Sequence, residues 1–230
     1  VILAAGTNQR PGETREALLG RNRAILQSIL EQLTAVNRDA VLLVVSNPVD
    51  VLTGYTLELS GFPAERVIGS GTVLDTARIK CLLGGKLGVD SRNVHAFMLG
   101  EHGDSEVAVW SSANISGADL DDFCLAAGID DPESMLASLA REVTHAAYDI
   151  IYGIAMAVRR IAEAIIRDEH AVLPVSTLAR GAYGIEGVCL GLPAVVGRSG
   201  VSRVLDLPLS RDETERLLAS AHKLKTLMEG

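Results

Sequence analysis

AVLLVVSNP, from Ala40 to Pro48, is the stretch that decides the fold. Six apolar residues without alternation read as a strand buried on both faces, and the run stops at the polar break Ser46-Asn47-Pro48. Upstream, Ala17, Leu18, Ile25, Leu26, Ile29, Leu30 and Leu33 recur at helical spacing, and ahead of them Val1 to Ala5 forms a second apolar run. Strand, helix, strand implies a parallel crossover. Downstream, a short helix from about Asp50 to Leu59 leads through Gly61 and Pro63 to a third strand, Arg66-Val67-Ile68, closed by Gly69-Ser70-Gly71. The three strands thus send polar loops to one carboxyl edge, where open α/β sheets hold their ligands. The loop after the first strand, Gly6 to Arg15, is rich in breakers and polar groups and has functional reach.

Past Gly69 the pattern changes, and the domain boundary is placed there. A helix from about Val73 to Leu87 carries Asp75 and Arg78 one turn apart, a spacing that in isolation reads as a solvated ion pair. The strand-like run Val94 to Met98 then enters LGEHGDSE, Leu99 to Glu106, which holds His102 between Gly100 and Gly103. An imidazole titrates near neutrality and exchanges protons at working pH, although a lone His is more often structural. A strand from Glu106 to Trp110 follows. Asp131-Pro132-Glu133 starts a long helix with Pro at its first position, and Val143, Ala147, Ile150, Ile154, Val158, Ile161 and Ile165 keep one face through about Arg167. Ala171 to Ala179, Val188 to Val196 and Val201 to Leu207 read as strands, and Ser210 with Glu213 forms a capping box for the last helix. This second part is α+β.

With 48% hydrophobic residues in 230 and a mean hydropathy of +0.26, the chain can bury a substantial core. A dispersed net charge of −8 and 3% aromatics argue against nucleic acid and against an anionic membrane surface. A small molecule or another subunit is the expected partner. Cys81, Cys124 and Cys189 are odd in number and set in apolar surroundings, so they read as reduced core thiols, which favours the cytoplasm. No apolar run approaches the ~18 residues of a membrane span. The chain opens inside a buried-looking strand, so residues are expected ahead of Val1.

Taken together, AAGTNQRPGETR at 4–15, VSNPVD at 45–50, GSGTVLDTAR at 69–78 and GEHGDSE at 100–106 resemble the NAD-dependent L-lactate branch of the lactate/malate dehydrogenase family. The resemblance implies reversible hydride transfer between NADH and pyruvate, giving L-lactate. It implies the C-terminal half of an NAD-binding Rossmann domain over 1–69 and a catalytic domain over 70–230. His102 would be the proton donor and acceptor, Asp75 would hold its imidazole, and Arg15, on a closing loop, would polarise the ketone. Arg78 would grip the substrate carboxylate with its two-pronged guanidinium, and Asn47 would bond substrate and nicotinamide. Gln9 stands where malate enzymes carry an Arg for a second carboxylate, so a neutral residue there suits the methyl of pyruvate. Gly6, Thr7, Ser28, Val45, Asn47 and Ser70 match positions that face NAD. Lys80 and His95 match a fructose 1,6-bisphosphate effector site of bacterial relatives, with Lys in place of Arg; a strand residue facing solvent or core is the other reading of His95. A homo-oligomer, dimer or tetramer, is implied by the resemblance alone.

The sequence also departs from that family. Neither G-x-G-x-x-G nor the strand and helix that would carry it is present, and relatives hold about a heptad more between Ile151 and Tyr152, including a Thr that lines the substrate pocket. Removing seven residues rotates a helical face by only ~20°, so helical phase hides the loss. Three other readings stay open at this point. One is a dehydrogenase for malate or a branched 2-hydroxy acid, and another is a catalytically dead fragment acting as an interaction protein. The third is metal hydrolysis by His95, Glu101, His102 and Asp104, which no recognised ligand spacing supports.

Overall fold

The protein's structure, a computed structural model, describes the backbone of residues 1–7, 15–145 and 151–229 and the side chains of 1–7, 17–144 and 153–228. Strands β1 (Ile2–Leu3), β2 (Leu42–Val44) and β3 (Val67–Gly69) run parallel in that order, with Ile2 opposite Leu43 and Leu43 opposite Ile68. Helix α1 (Arg15–Val36) makes the first crossover and α2 (Val49–Ser60) the second. Leu42 and Val44 are wholly buried, as an unbroken apolar run requires, and Leu19, Leu26 and Leu30 carry the apolar stripe of α1 into the same core. Helix α2 stops at Gly61, whose φ of 63° is left-handed backbone that glycine adopts without cost.

The sheet does not end at Gly69. Strand β7 (Ala171–Arg180) lies antiparallel beside β3 through the pair Gly69 and Ser176, and β8 (Glu186–Gly197) and β9 (Gly200–Val204) extend it into one mixed sheet of six strands. A smaller antiparallel sheet of β4 (Val94–Leu99), β5 (Val107–Ile115) and β6 (Ala118–Asp119) packs with α3 (Val73–Leu87), α4 (Leu120–Ala126) and α5 (Pro132–His145) around Ile79, Leu83, Met98 and Leu139. Asp131 caps α5, accepting a hydrogen bond from the Ser134 amide at 3.0 Å, with Pro132 in the first turn. Helices α6 (Ile151–Ile166) and α7 (Arg211–Glu229) complete the chain.

Several expectations change. The long helix from Asp131 is described as two, α5 and α6, that serve different cores. Leu136, Leu139 and Val143 face the small sheet, whereas Ala157, Ile161 and Ala164 cover the large one. The junction between Ile151 and Tyr152 adjoins residues outside the described set. Strand β5 runs to Ile115, five residues past Trp110, because it pairs with β4 along both halves of a bulge. The strand expected to Leu207 stops at Val204, after its last pairing with Ala194. The short elements β6 and α4 lacked a clear period and were not foreseen. Cys124 and Cys189 are buried thiols, but Cys81 is exposed, because Ile79 and Leu83 turn the opposite face of α3 to the core.

Candidate active site

Two segments far apart in sequence build the site. Asp75 lies in the first turn of α3, and His102 lies in the loop that joins β4 to β5. The loop is fixed at its root by Gly100, whose amide donates to the Gly191 carbonyl at 2.9 Å and whose carbonyl accepts the Gly191 amide at 2.8 Å. Gly100 has a φ of 93°, and a Cβ there would stand 2.8 Å from Ser220 Oγ, so glycine is required on both counts. From α7, Ser220 Oγ accepts the Glu101 amide at 2.9 Å and Lys223 Nζ meets Glu101 Oε2 at 2.6 Å. From α2, Asp50 Oδ2 accepts the His102 amide at 2.8 Å. The loop is thus tied to one strand and two helices.

So placed, His102 Nδ1 lies 2.6 Å from Asp75 Oδ2, leaving Nε2 as the nitrogen free to exchange a proton. Arg78 Nη1 lies 3.3 Å from Asp75 Oδ1, and with side chains only 2% and 10% exposed the Asp75–Arg78 pair is no solvated surface bridge. Arg78 Nε is buried and has no partner among the described residues, a cationic donor left for an anion. Burial opposes charging of the His102 ring, but the bond to Asp75 and the negative charges of Asp75, Asp50 and Glu106 outweigh it and carry its pKa up to about 9. Glu106 is pushed up to about 7 by burial and by the Asp75 charge, against the pull of a hydrogen bond from Thr144 Oγ1 at 2.7 Å. Asp50 and Glu106 close the VSNPVD and GEHGDSE stretches but had no role assigned from the sequence; their part in the site becomes visible only from their surroundings in the fold.

The remaining site residues fall into three groups. Gly6, Thr7, Val45, Asn47 and Ser70 gather at the carboxyl ends of β1, β2 and β3. There Asn22 of α1, also unforeseen, accepts the Thr7 amide at 2.8 Å and donates to the Asn47 carbonyl at 3.2 Å, holding two strand ends together. Ser28 sits apart. It is exposed on α1, six residues beyond Asn22 and so ~9 Å further along the axis. Gln9 lies outside the described residues, and Arg15 begins α1 with its side chain outside them. Lys80 and His95 line a cavity of about 380 Å³, which Arg160 of α6 also enters. The larger cavity, about 760 Å³ beside Glu65, Arg180 and Arg203, contains none of the expected site residues.

The metal-hydrolysis set is not gathered as such. Among the described residues, the ligating atoms that lie within 4.8 Å of one another are those of Asp75, His102 and Glu106. No helix among them is long and apolar enough to cross a membrane.

Residues 1–69 match the family described as lactate/malate dehydrogenase, NAD binding domain, and residues 72–230 the family described as lactate/malate dehydrogenase, alpha/beta C-terminal domain. The chain is 48% identical to an L-lactate dehydrogenase of Clostridium perfringens, covering 98% of this chain and 73% of that one. It is 50% identical to an L-lactate dehydrogenase of Streptococcus gordonii, covering 100% and 72%. Among solved structures, the minor L-lactate dehydrogenase of Enterococcus mundtii superposes with a TM-score of 0.94 at 42% identity, over 99% of this chain and 75% of that one.

Proposed function

The chain belongs to the lactate/malate dehydrogenase family, and from that we propose that it is an NAD-dependent L-lactate dehydrogenase, interconverting pyruvate and L-lactate. The observation that carries the reading is the contact of 2.6 Å between His102 and buried Asp75, beside the unpartnered donor of Arg78. In the reduction His102 Nε2 gives its proton to the ketone oxygen, and Asp75 stabilises the imidazolium before transfer and fixes the tautomer after it. In the oxidation the neutral ring takes the hydroxyl proton back. Arg78 binds the substrate carboxylate, and Arg15, placed at the first residue of α1 rather than on the expected loop, polarises the ketone.

The exposed strand ends fit a dinucleotide. Residues Ala4 to Thr7 and Asn47 are exposed at the carboxyl edge of the sheet, and Asn22 ties two of those ends together through the Thr7 amide and the Asn47 carbonyl. Gly6, Thr7, Val45, Asn47 and Ser70 would hold NAD, with Ser28 as an outlying candidate. NAD supplies the hydride in one direction and accepts it in the other.

The choice of pyruvate over oxaloacetate rests on Gln9. In the intact protein, Gln9→Arg should shift the kcat/KM ratio toward oxaloacetate by at least tenfold, the ~1.4 kcal/mol of one charge contact. An unchanged ratio rejects the assignment. Lys80, His95 and Arg160 supply basic side chains for a fructose 1,6-bisphosphate effector, and loss of activation in His95→Ala would support that site. We place the enzyme in the cytoplasm as a homo-oligomer, dimer or tetramer, working in glycolysis and fermentation.

A further inference from the structure

We propose that Asp50 is a positioning residue for the proton transfer, its buried carboxylate both holding the His102 backbone and placing a second negative charge behind the imidazole. The inference rests on the reading of His102 as the proton donor. Asp50 is 2% exposed, at the start of α2, where the helix N-terminus favours an anion. Its Oδ2 accepts the His102 amide at 2.8 Å, so the residue grips the loop one peptide away from the reacting ring. Its Oδ1 makes no hydrogen bond of good geometry, and neither does the buried hydroxyl of Ser176 on β7, although that hydroxyl lies close enough to favour the anion. An incompletely satisfied buried carboxylate is costly, and a fold that needed only a loop anchor could have used a neutral amide.

The groups facing His102 make the electrostatic role specific. Asp75 on α3 bonds Nδ1, Glu106 lies at the start of β5, and Asp50 approaches from α2, all three favouring the charged ring. Burial pushes Asp50 up to about 6, and the hydroxyl of Ser176, the His102 amide and the His102 charge oppose that rise, while the Glu101 charge adds to it. Asp50 is therefore ionised through the neutral range and becomes neutral on mild acidification.

Asp50→Asn tests this, because the amide oxygen still accepts the His102 N–H while the charge is gone. In the intact protein the pH profiles of pyruvate reduction and of lactate oxidation should both move to lower pH by about one unit, with KM little changed. Asp50→Ala, which also loses the anchor, should lower kcat at least tenfold in both directions. Imidazole NMR titration of His102 in parent and Asp50→Asn reads the same shift without turnover, so an inactive parent would overturn the dehydrogenase reading and leave this one measurable. If Asp50→Asn does not fold, Asp50→Ser, which also removes the charge, should move the His102 titration to lower pH in the same way. Profiles and titrations superimposable on the parent's would overturn the proposal.

Discussion

At the scale of the residue, His102 is the group whose environment sets the chemistry. Its pKa lies at about 9 in the folded chain, raised from the ordinary 6.5. Pyruvate reduction needs the imidazolium, so kcat/KM for pyruvate should be flat below about pH 9 and fall above it. Lactate oxidation needs the neutral ring and should rise toward the same value. Stability follows the same sign: the imidazolium's contribution is complete below 6.5 and is lost as the pH rises through about 9. Steady-state profiles in both directions check this, and a pyruvate limb that turns over near 6.5 would show that Asp75 does not govern the ring. His102→Asn should lower kcat by about 10² to 10⁴ in both directions. The residue types were legible in the sequence, where GEHGDSE and DTAR stand out. Their pairing was legible only through the family resemblance, because spacing alone does not bring together a helix residue and a loop residue 27 positions apart.

At the scale of the element, α7 is more than a cover for the sheet. The capping box read from Ser210 and Glu213 is present, with Ser210 N–H donating to Glu213 Oε2 at 2.8 Å and Glu213 N–H to Ser210 Oγ at 3.2 Å. The same Glu213 carboxylate also accepts the Trp110 and Ser111 amides at 2.7 and 3.0 Å and the Ser111 hydroxyl, which fastens α7 to β5. Burial works against its charge, but these bonds hold its pKa below the usual carboxylate range. Glu213→Ala should therefore cost roughly 1–2 kcal/mol by removing the cap and leaving the part-buried Trp110 and Ser111 donors without an acceptor, read by urea unfolding. Because α7 also holds Glu101 through Ser220 and Lys223, the variant should lose kcat as well as stability. The native contribution is complete above the ordinary glutamate value of 4.5 and is lost as the pH falls through the lowered one. A variant as stable as the parent at neutral pH would remove Glu213 from this role.

For the whole molecule, the meaningful unit is the six-stranded sheet that runs across Gly69. A Cβ at Gly69 would press on Thr53 Oγ1 and stand 2.9 Å from Ser176 Cβ and 3.0 Å from Val49 Cγ2, so this seam closes only around glycine. Gly69→Ala should lower stability by about 1–3 kcal/mol through overpacking. The loss should appear in a single thermal transition, since both α2, through Val49 and Thr53, and β7, through Ser176, pack against Gly69. Two separated transitions, or an unchanged Tm, would mean that the two sides of the seam unfold independently.

What the sequence determined by itself is the set of local periods and residue types. The runs at Ala40–Val45 and Arg66–Ile68 specify buried parallel strands, the stripe through Leu26 and Leu30 specifies the crossover, and the breakers after each strand specify a ligand edge. These signals survive because burial on two faces and helical phase are written in neighbouring residues. The tertiary structure alone decided which groups surround the imidazole. Asp50 reaches His102 across 52 residues, Ser220 reaches Glu101 across 119 and Lys223 reaches it across 122. It also divided the apolar face expected from Asp131 to Arg167 between two cores and left Cys81 in solvent. A pKa is set by the dielectric and by charges within a few ångströms, and both are products of packing rather than of sequence spacing.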